Sequence, residues 1–310
     1  MTKEQDNYYI LGDIITFEKK SKRLAKDGND IGKYPFYKSS QKLNTFTDKY
    51  DYKNENIIIG TKGNGSIHLN NKFSCSDDNF IFHSNKENII NKYIYYYLLV
   101  NFEIIENGFK GSTIKNLSKE YLNNIEIPVL SLEQQKNLIK PLDHLYIEND
   151  SIDKIINETE TVSRITLSNY LFDFKNDIEE YDLDDIIIFK SKDKTKRLTK
   201  EYINHIVNSD FSILELDKDI IFNKYLEYYF KYSTFIDKDI KNISKGSTLK
   251  RVNIKELNNL EIPVPSLEQQ EEIIKSLEKI DNMILLLLEK KNENTLLAKK
   301  YMNNILKNNN

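Results

Sequence analysis

The sequence predicts an α+β protein: two mixed, sheet-rich modules joined by two long helices that form an antiparallel pair. Three observations carry this expectation. Residues Lys110 to Asp143 (KGSTIKNLSKEYLNNIEIPVLSLEQQKNLIKPLD) recur 135 positions later as Lys245 to Glu278, with 20 of the 34 positions identical. A match of that length marks an internal repeat, so the chain holds two copies of one unit. Within each copy the text changes at a proline, Pro128 or Pro263, from β-branched and aromatic runs broken by Gly and Asn to a long helical stripe. A helix of roughly 39 residues, at about 1.5 Å per residue, spans about 58 Å. Such a helix needs a partner of like length, and the only candidate in this chain is the other one.

The first module is assigned to residues 1–132, with strands expected in runs such as Ile57 to Ile59 and Phe80 to Phe82. The second, 182–267, is shorter. Asp13-Ile-Ile-Thr-Phe matches Asp185-Ile-Ile-Ile-Phe at an offset of 172, whereas Asn91-Lys-Tyr-Ile-Tyr-Tyr-Tyr matches Asn223-Lys-Tyr-Leu-Glu-Tyr-Tyr at 132. The second copy therefore lacks about 40 residues, which in the first lie between Leu24 and Asp77.

The helices are assigned to 133–181 and 268–310. Ser131 to Gln134 and Ser266 to Gln269 both read Ser-Leu-Glu-Gln, the capping-box pattern, in which serine oxygen takes an amide three residues on and Gln reaches back. In the second helix Ile273, Leu277, Ile280, Ile284 and Leu287 advance by steps of four and three, and Lys291 and Asn294 interrupt before Ala298, Tyr301 and Ile305. Leu138, Leu142, Leu145, Ile152 and Ile156 keep the same seam in the first helix, with Asn149 inside it.

Charge and composition bound the function. With 45 Lys+Arg against 48 Asp+Glu the net charge is -3, which argues against a protein that coats nucleic acid by bulk charge. Residues 1–132 carry 18 basic and 16 acidic groups, 182–267 carry 15 and 14, 133–181 carry 5 and 11, and 268–310 carry 7 of each. If DNA is bound, the modules should touch it and the first helix should not; differences this small also fit ordinary solvated charge. Cys75, the single cysteine, excludes an internal disulfide, and no signal-peptide pattern follows Met1. The longest strongly apolar run, Met283 to Leu288, is far short of the roughly 20 residues a bilayer crossing needs. A reduced, cytoplasmic protein with no membrane partner is expected.

Catalytic patterns are missing from the sequence. His68, His83, His144, His205 and Cys75 show no metal-ligand spacing. The stretch from Gly60 to Ser66, GTKGNGS, is neither a Walker loop nor a dinucleotide fingerprint. No nucleophile elbow is present, and no acidic pair stands out as acid and base. The expectation is a chain that is not an enzyme, with no metal and no cofactor of its own.

Polar loops remain. Tyr34-Pro-Phe-Tyr37 runs into Lys38, Ser39, Ser40 and Gln41, which sets aromatic rings beside hydroxyls and an amide. Thr61, Lys62, Asn64, Ser66, Asn70, Asn71 and Lys72 mark a glycine-permitted hairpin with Lys and Asn at its tips. Asn can bond adenine in two places, and Lys meets guanine or phosphate, so such a tip suits base reading. An ordinary exposed hairpin fits the same residues. Lys110, Ser112, Thr113 and Lys115 surround Gly111, and Lys245, Ser247, Thr248, Lys250 and Arg251 surround Gly246. Two hydroxyls and two basic groups about a glycine suit phosphate contact, and equally suit a turn shaping the module's last strand.

The repeats, with strand-Pro and Ser-Leu-Glu-Gln-Gln leading into a long helix, resemble the specificity (S) subunits of type I restriction-modification systems. Tyr34-Pro-Phe-Tyr37 followed by Ile57-Ile-Ile-Gly60 and Gly63 is similar to the signature of that family's target-recognition domain. The resemblance implies a non-catalytic subunit whose two target-recognition domains each read half of a split double-stranded DNA site in the major groove. It implies helices that set the gap between half-sites and dock methyltransferase (M) subunits holding S-adenosylmethionine, with restriction (R) subunits as further partners. The 40-residue loss removes from the second domain the counterparts of Tyr34 to Gln41 and Gly60 to Lys72. Base reading is therefore expected mainly from residues 1–130, with Thr195, Lys196, Arg197, Lys250 and Arg251 giving sequence-blind phosphate contact. A scaffold or decoy of the same fold that occupies methyltransferase subunits is the alternative.

Overall fold

Ile57, Ile58 and Ile59 are all fully buried. Successive strand residues face opposite sides, so three consecutive buried isoleucines require a sheet covered on both faces. The computed structural model shows that sheet, and describes residues 8–41, 43–112, 115–175, 177–182, 187–191, 213–245, 251–252 and 259–307. Four antiparallel strands run in the order β2 (Ile15–Phe17), β8 (Asn79–Ser84), β5 (Asn56–Gly60) and β6 (Ser66–Asn70). On one face Ile57, Ile59 and Phe82 join a core with Tyr93, Ile94 and Leu98 of α2 (Asn91–Val100). On the other, Ile58 and Ile81 meet Tyr37, Tyr52, Phe73 and Cys75. This second layer is a smaller sheet, β4 (Phe46–Thr47), β3 (Tyr34–Tyr37) and β7 (Ser74–Cys75), with β3 and β7 parallel. Burial pushes the Cys75 thiol up to about 12, so it behaves as a small core residue.

The chain divides into two compact units, Met1–Asp150 with Lys291–Asn310, and Ser151–Lys290. In the first, β1 (Tyr8–Ile10) pairs antiparallel with β11 (Glu126–Pro128), closing the module beside its exit into α5 (Leu132–Asp173). A short ladder, β9 (Phe109–Lys110) with β10 (Asn116–Leu117), lies just upstream. In the second unit β12 (Glu179–Asp182) pairs with β17 (Glu261–Val264), and β15 (Ser244–Lys245) pairs with β16 (Arg251–Val252). The register is conserved between copies: Phe109 faces Leu117, and Ser244 faces Val252, each 135 residues on. β12 begins before residue 182, so the second module's sheet starts ahead of the boundary assigned from the sequence.

The missing 40 residues can now be placed. In the first module β2 pairs with β8, with β5 and β6 added beyond β8. In the second, β13 (Ile187–Ser191) pairs with β14 (Ile213–Leu216), and Ile187 opposite Leu216 repeats Ile15 opposite Ser84. Among the described residues, the two-stranded equivalent of β2 and β8 persists without counterparts of the β5–β6 hairpin or of β3. The second core is built from α6 (Asn223–Tyr232), with Tyr225, Tyr228 and Tyr232 buried alongside Ile262, Ile273 and Leu277. Ile236 of α7 (Thr234–Ile243) completes it.

Both long helices form, as α5 of 42 residues and α8 (Leu267–Lys307) of 41. Their caps match the expected capping box. Ser131 Oγ accepts from Gln134 N at 3.3 Å while Gln134 Oε1 accepts from Ser131 N at 2.9 Å, and Ser266 and Gln269 repeat this at 3.3 and 3.0 Å. The helices pair antiparallel within each unit. In the first, Leu138 and Leu142 share a core with Ala298 and Met302, and in the second Tyr170 Oη lies 2.9 Å from Ser276 Oγ. Asn294, read as an interruption, instead sits in the seam and bonds Asn149. Pro141 lies inside α5. Having no N–H, it frees the Asn137 carbonyl, towards which Tyr301 Oη donates at 3.5 Å. No helix among the described residues is long and apolar enough to cross a membrane.

Candidate nucleic-acid interface

Three polar loops, far apart in sequence, meet in the first unit. The first is the β5–β6 hairpin. Gly65 N donates to Lys62 O at 3.2 Å, closing a four-residue turn, and Gly63 at its first central position has φ +67°. Gly65 has φ +70°, and a Cβ there would lie 2.7 Å from the Phe109 ring of β9, so both conformation and space demand glycine. That close approach joins the hairpin to the β9–β10 loop. Leu117 N donates to Thr61 O at 2.9 Å, and Gly63 N donates to Lys115 O at 3.2 Å.

The loop after β3 packs on the other side. A Cβ on Gly60 would stand 2.8 Å from Ser39 Cα, so only glycine admits the loop this closely. Ser39 Oγ donates to Asp78 O at 3.0 Å and accepts from Lys62 N at 2.9 Å. Thr61 Oγ1 donates to the same Asp78 carbonyl at 2.9 Å. His68 Nε2 donates to Ser40 O at 3.1 Å and its ring lies 4.6 Å from that of Tyr37. Asn70 Nδ2 donates to Tyr37 Oη at 2.6 Å while its Oδ1 accepts from Asn71 N. Lys72, which follows, is the one described non-glycine residue with positive φ, at 51°.

These bonds sort the residues expected to touch DNA. Ser40, Gln41, Lys62, Asn64, Lys110, Ser112 and Lys115 are exposed on the connected loops, whereas Asn71 and Lys72, also exposed, follow β6 at the end opposite the hairpin tip. Lys38 is half-buried. Ser39, Thr61 and Asn70 are also half-buried, and their side chains are spent on bonds within the loops. Ser66 is a correction. It is 1% exposed, because its position opposite Gly60 turns its hydroxyl into the module, so it is not a surface contact. Lys62 is exposed but engaged, with Nζ 2.6 Å from Asp78 Oδ1; this bond and that charge raise its pKa.

Tyr34-Pro-Phe-Tyr37 and Ile57-Ile-Ile-Gly60 prove to be the strands beneath the loops, with Phe36 and the three isoleucines at 0% exposure. In the second unit Lys245 and Arg251 face one another across the β15–β16 ladder. Thr113, Lys196, Arg197, Ser247, Thr248 and Lys250 lie outside the described residues. No group of three or more His, Cys, Asp or Glu that could hold a metal occurs among the described residues.

The sequence reading passed over one pair of residues. Gln135 is fully buried, its Oε1 accepting from Ile90 N at 2.9 Å and its Nε2 donating to Asn88 O at 2.9 Å and Leu130 O at 2.7 Å. Gln270 repeats the arrangement with Phe222 N at 2.8 Å, Ile220 O at 2.9 Å and Pro265 O at 2.8 Å. Each glutamine clamps the first turn of a long helix to the segment leading into α2 or α6. Beside it, Tyr93 Oη donates to Pro128 O and Tyr225 Oη to Pro263 O. The signal was identity: both glutamines and both tyrosines recur at the repeat offsets.

Comparison with known proteins agrees with this architecture. The type I restriction modification DNA specificity domain family matches twice, at residues 5–161 and 162–297. The type I restriction enzyme MjaVIII specificity subunit of Methanocaldococcus jannaschii is 21% identical over 386 residues, covering 96% of this chain and 91% of that protein. A putative MjaX specificity subunit of the same organism is 31% identical over 93 residues, which is 30% of this chain and 21% of that subunit. In fold, the chain is similar to the type I restriction-modification S subunit from M. genitalium, with a TM-score of 0.52, 16% identity and 98% of each chain covered.

Proposed function

Because the chain belongs to the type I restriction-modification DNA specificity family, we propose that it is a non-catalytic subunit that reads double-stranded DNA mainly through its first module. The observation that carries this reading is the convergence of three loops, the one after β3 (Lys38–Gln41), the β5–β6 tip (Thr61–Gly65) and the β9–β10 loop with Lys110 and Lys115, hydrogen-bonded into one surface. The sheet beneath supports the exposed Asn64, Lys62, Lys110 and Lys115 on one side, the arrangement that entry into a major groove calls for. Lys110 and Lys115, at the ends of a hairpin loop, suit phosphate.

The second module keeps the β15–β16 ladder and its Lys245 and Arg251 but, among the described residues, has no β5–β6 hairpin. Its contribution is salt-sensitive affinity with little sequence information, to which Lys196, Arg197, Ser247, Thr248 and Lys250 add basic and hydroxyl groups. The paired helices are the docking surface for methyltransferase subunits carrying S-adenosylmethionine, with restriction subunits joining the same assembly.

Binding-site selection on the full-length chain with its methyltransferase partner tests the reading. One block of enriched sequence flanked by indifferent DNA is the expected result. Two blocks of comparable information content would overturn the asymmetry. No enrichment would favour a scaffold that occupies methyltransferase subunits without reading, a role with which the lack of a second such hairpin among the described residues is also consistent.

A further inference from the structure

We infer that Asp78 is a specificity-determining residue, one half of a Lys62–Asp78 dyad that meets a G·C base pair and disfavours bare phosphate. The inference rests on the DNA-reading role proposed for the first module. A carboxylate is out of place on a surface that binds a polyanion, since it repels every phosphate it approaches. Asp78 nevertheless stands at the junction of the hairpin and the loop after β3, with its side chain 21% exposed and its Oδ1 2.6 Å from Lys62 Nζ.

The pair is held from both sides. The Asp78 carbonyl receives Thr61 N at 2.9 Å, Thr61 Oγ1 at 2.9 Å and Ser39 Oγ at 3.0 Å. Lys62 N donates to Ser39 Oγ at 2.9 Å. Both backbones are thereby fixed, and the ammonium and carboxylate are presented side by side. Asp77, half-buried next to Asp78, adds a second negative charge that Lys62 balances.

An ammonium has three donors. With one given to Asp78, two remain, and the dyad offers two donors followed by an acceptor. In the major groove a G·C pair presents two acceptors, guanine N7 and O6, followed by the cytosine N4 donor. An A·T pair instead places its N6 donor between the N7 and O4 acceptors, which this order does not match. Phosphate matches worse. A Lys62 that swings onto a phosphate leaves the Asp78 carboxylate facing DNA without its partner, so non-specific binding is penalised.

The test is site selection and random-duplex binding for wild type, Asp78→Asn and Lys62→Met, each as the full chain assembled with its methyltransferase partner. Asp78→Asn keeps the backbone carbonyl and nearly the same shape. It should lower the preference at one G·C position by about tenfold and raise affinity for random duplex. Lys62→Met, at an exposed site that tolerates change, should lose the same position and weaken random binding. An Asp78→Asn motif and random affinity identical to wild type would overturn the inference while leaving the module's reading role intact. If Asp78→Asn does not fold, a Lys62→Met protein that retains every G·C position overturns it. Absence of any motif in wild type would instead overturn the DNA-reading role itself.

Discussion

Asn294 Nδ2 donates to Asn149 Oδ1 at 3.0 Å in the buried seam between the two long helices. A buried amide pair is satisfied in one alignment of the helices, whereas leucines would accept several, so the pair fixes register. Asn149→Leu should destabilise the first unit by about 1–3 kcal/mol, the cost of leaving Asn294 unpaired. The double replacement Asn149→Leu/Asn294→Leu should recover that loss and permit shifted alignments. Denaturant unfolding of both single variants and the double variant measures the coupling. Additive losses would show that the two amides act independently.

The glutamine clamps predict a larger effect than their surface-like residue type suggests. Gln135→Leu leaves Ile90 N–H and two carbonyls without their partner, at about 1–3 kcal/mol for each group that water does not reach. Gln134→Leu, which removes the neighbouring capping side chain, should cost about 1 kcal/mol. Thermal unfolding of the two variants side by side ranks them. Equal losses would mean that the clamp adds nothing beyond the cap.

Leu142 is fully buried and Ile147, five residues on, is 63% exposed. Leu142→Asp should therefore destabilise by several kcal/mol through an unpaired buried carboxylate, while Ile147→Asp should stay within about 0.5 kcal/mol of wild type. A melting temperature unchanged in Leu142→Asp would show that the seam carries no stability.

Burial lowers the pKa of His68 below the ordinary imidazole value, against the opposing effect of its bond to the Ser40 carbonyl. The unfolded chain then takes up a proton at a higher pH than the folded one. Stability from neutral His68 is complete above about pH 6.5 and is lost as the pH falls through the lowered folded value. His68→Gln should flatten this part of the profile. Melting curves between about pH 7.5 and 5 would show equal slopes in both proteins if the ring does not contribute.

Asn64, at the exposed turn, and Lys110 and Lys115, at the neighbouring loop, should separate by readout. Asn64→Ala should weaken binding to the selected site by about 1–3 kcal/mol and leave random DNA nearly unchanged. Lys110→Ala and Lys115→Ala should weaken both alike and reduce the salt slope by about 1 each. Anisotropy titrations across salt concentration distinguish these outcomes, and uniform losses from Asn64→Ala would make it a phosphate contact.

The sequence by itself determined the elements whose cause is local or periodic. The Ser131 and Ser266 caps act within one helical turn, the seam from Leu138 to Ile152 follows the 3.6-residue repeat, and the internal repeat exposed the second module's loss. Tertiary structure alone decided which polar groups are available to a partner. Ser66 and Asn64 look alike as hairpin residues, yet the pairing of Ser66 with Gly60 turns one hydroxyl inward while the turn leaves the amide exposed. Gln135 reads as a surface residue of a capping motif until the chain 45 residues earlier closes over it. The Lys62–Asp78 pair likewise exists only because the segments before β6 and before β8 meet. A local pattern sets how a segment folds, but a side chain's burial and partner depend on what distant chain packs against it, and that information is spread over contacts no single window of sequence contains.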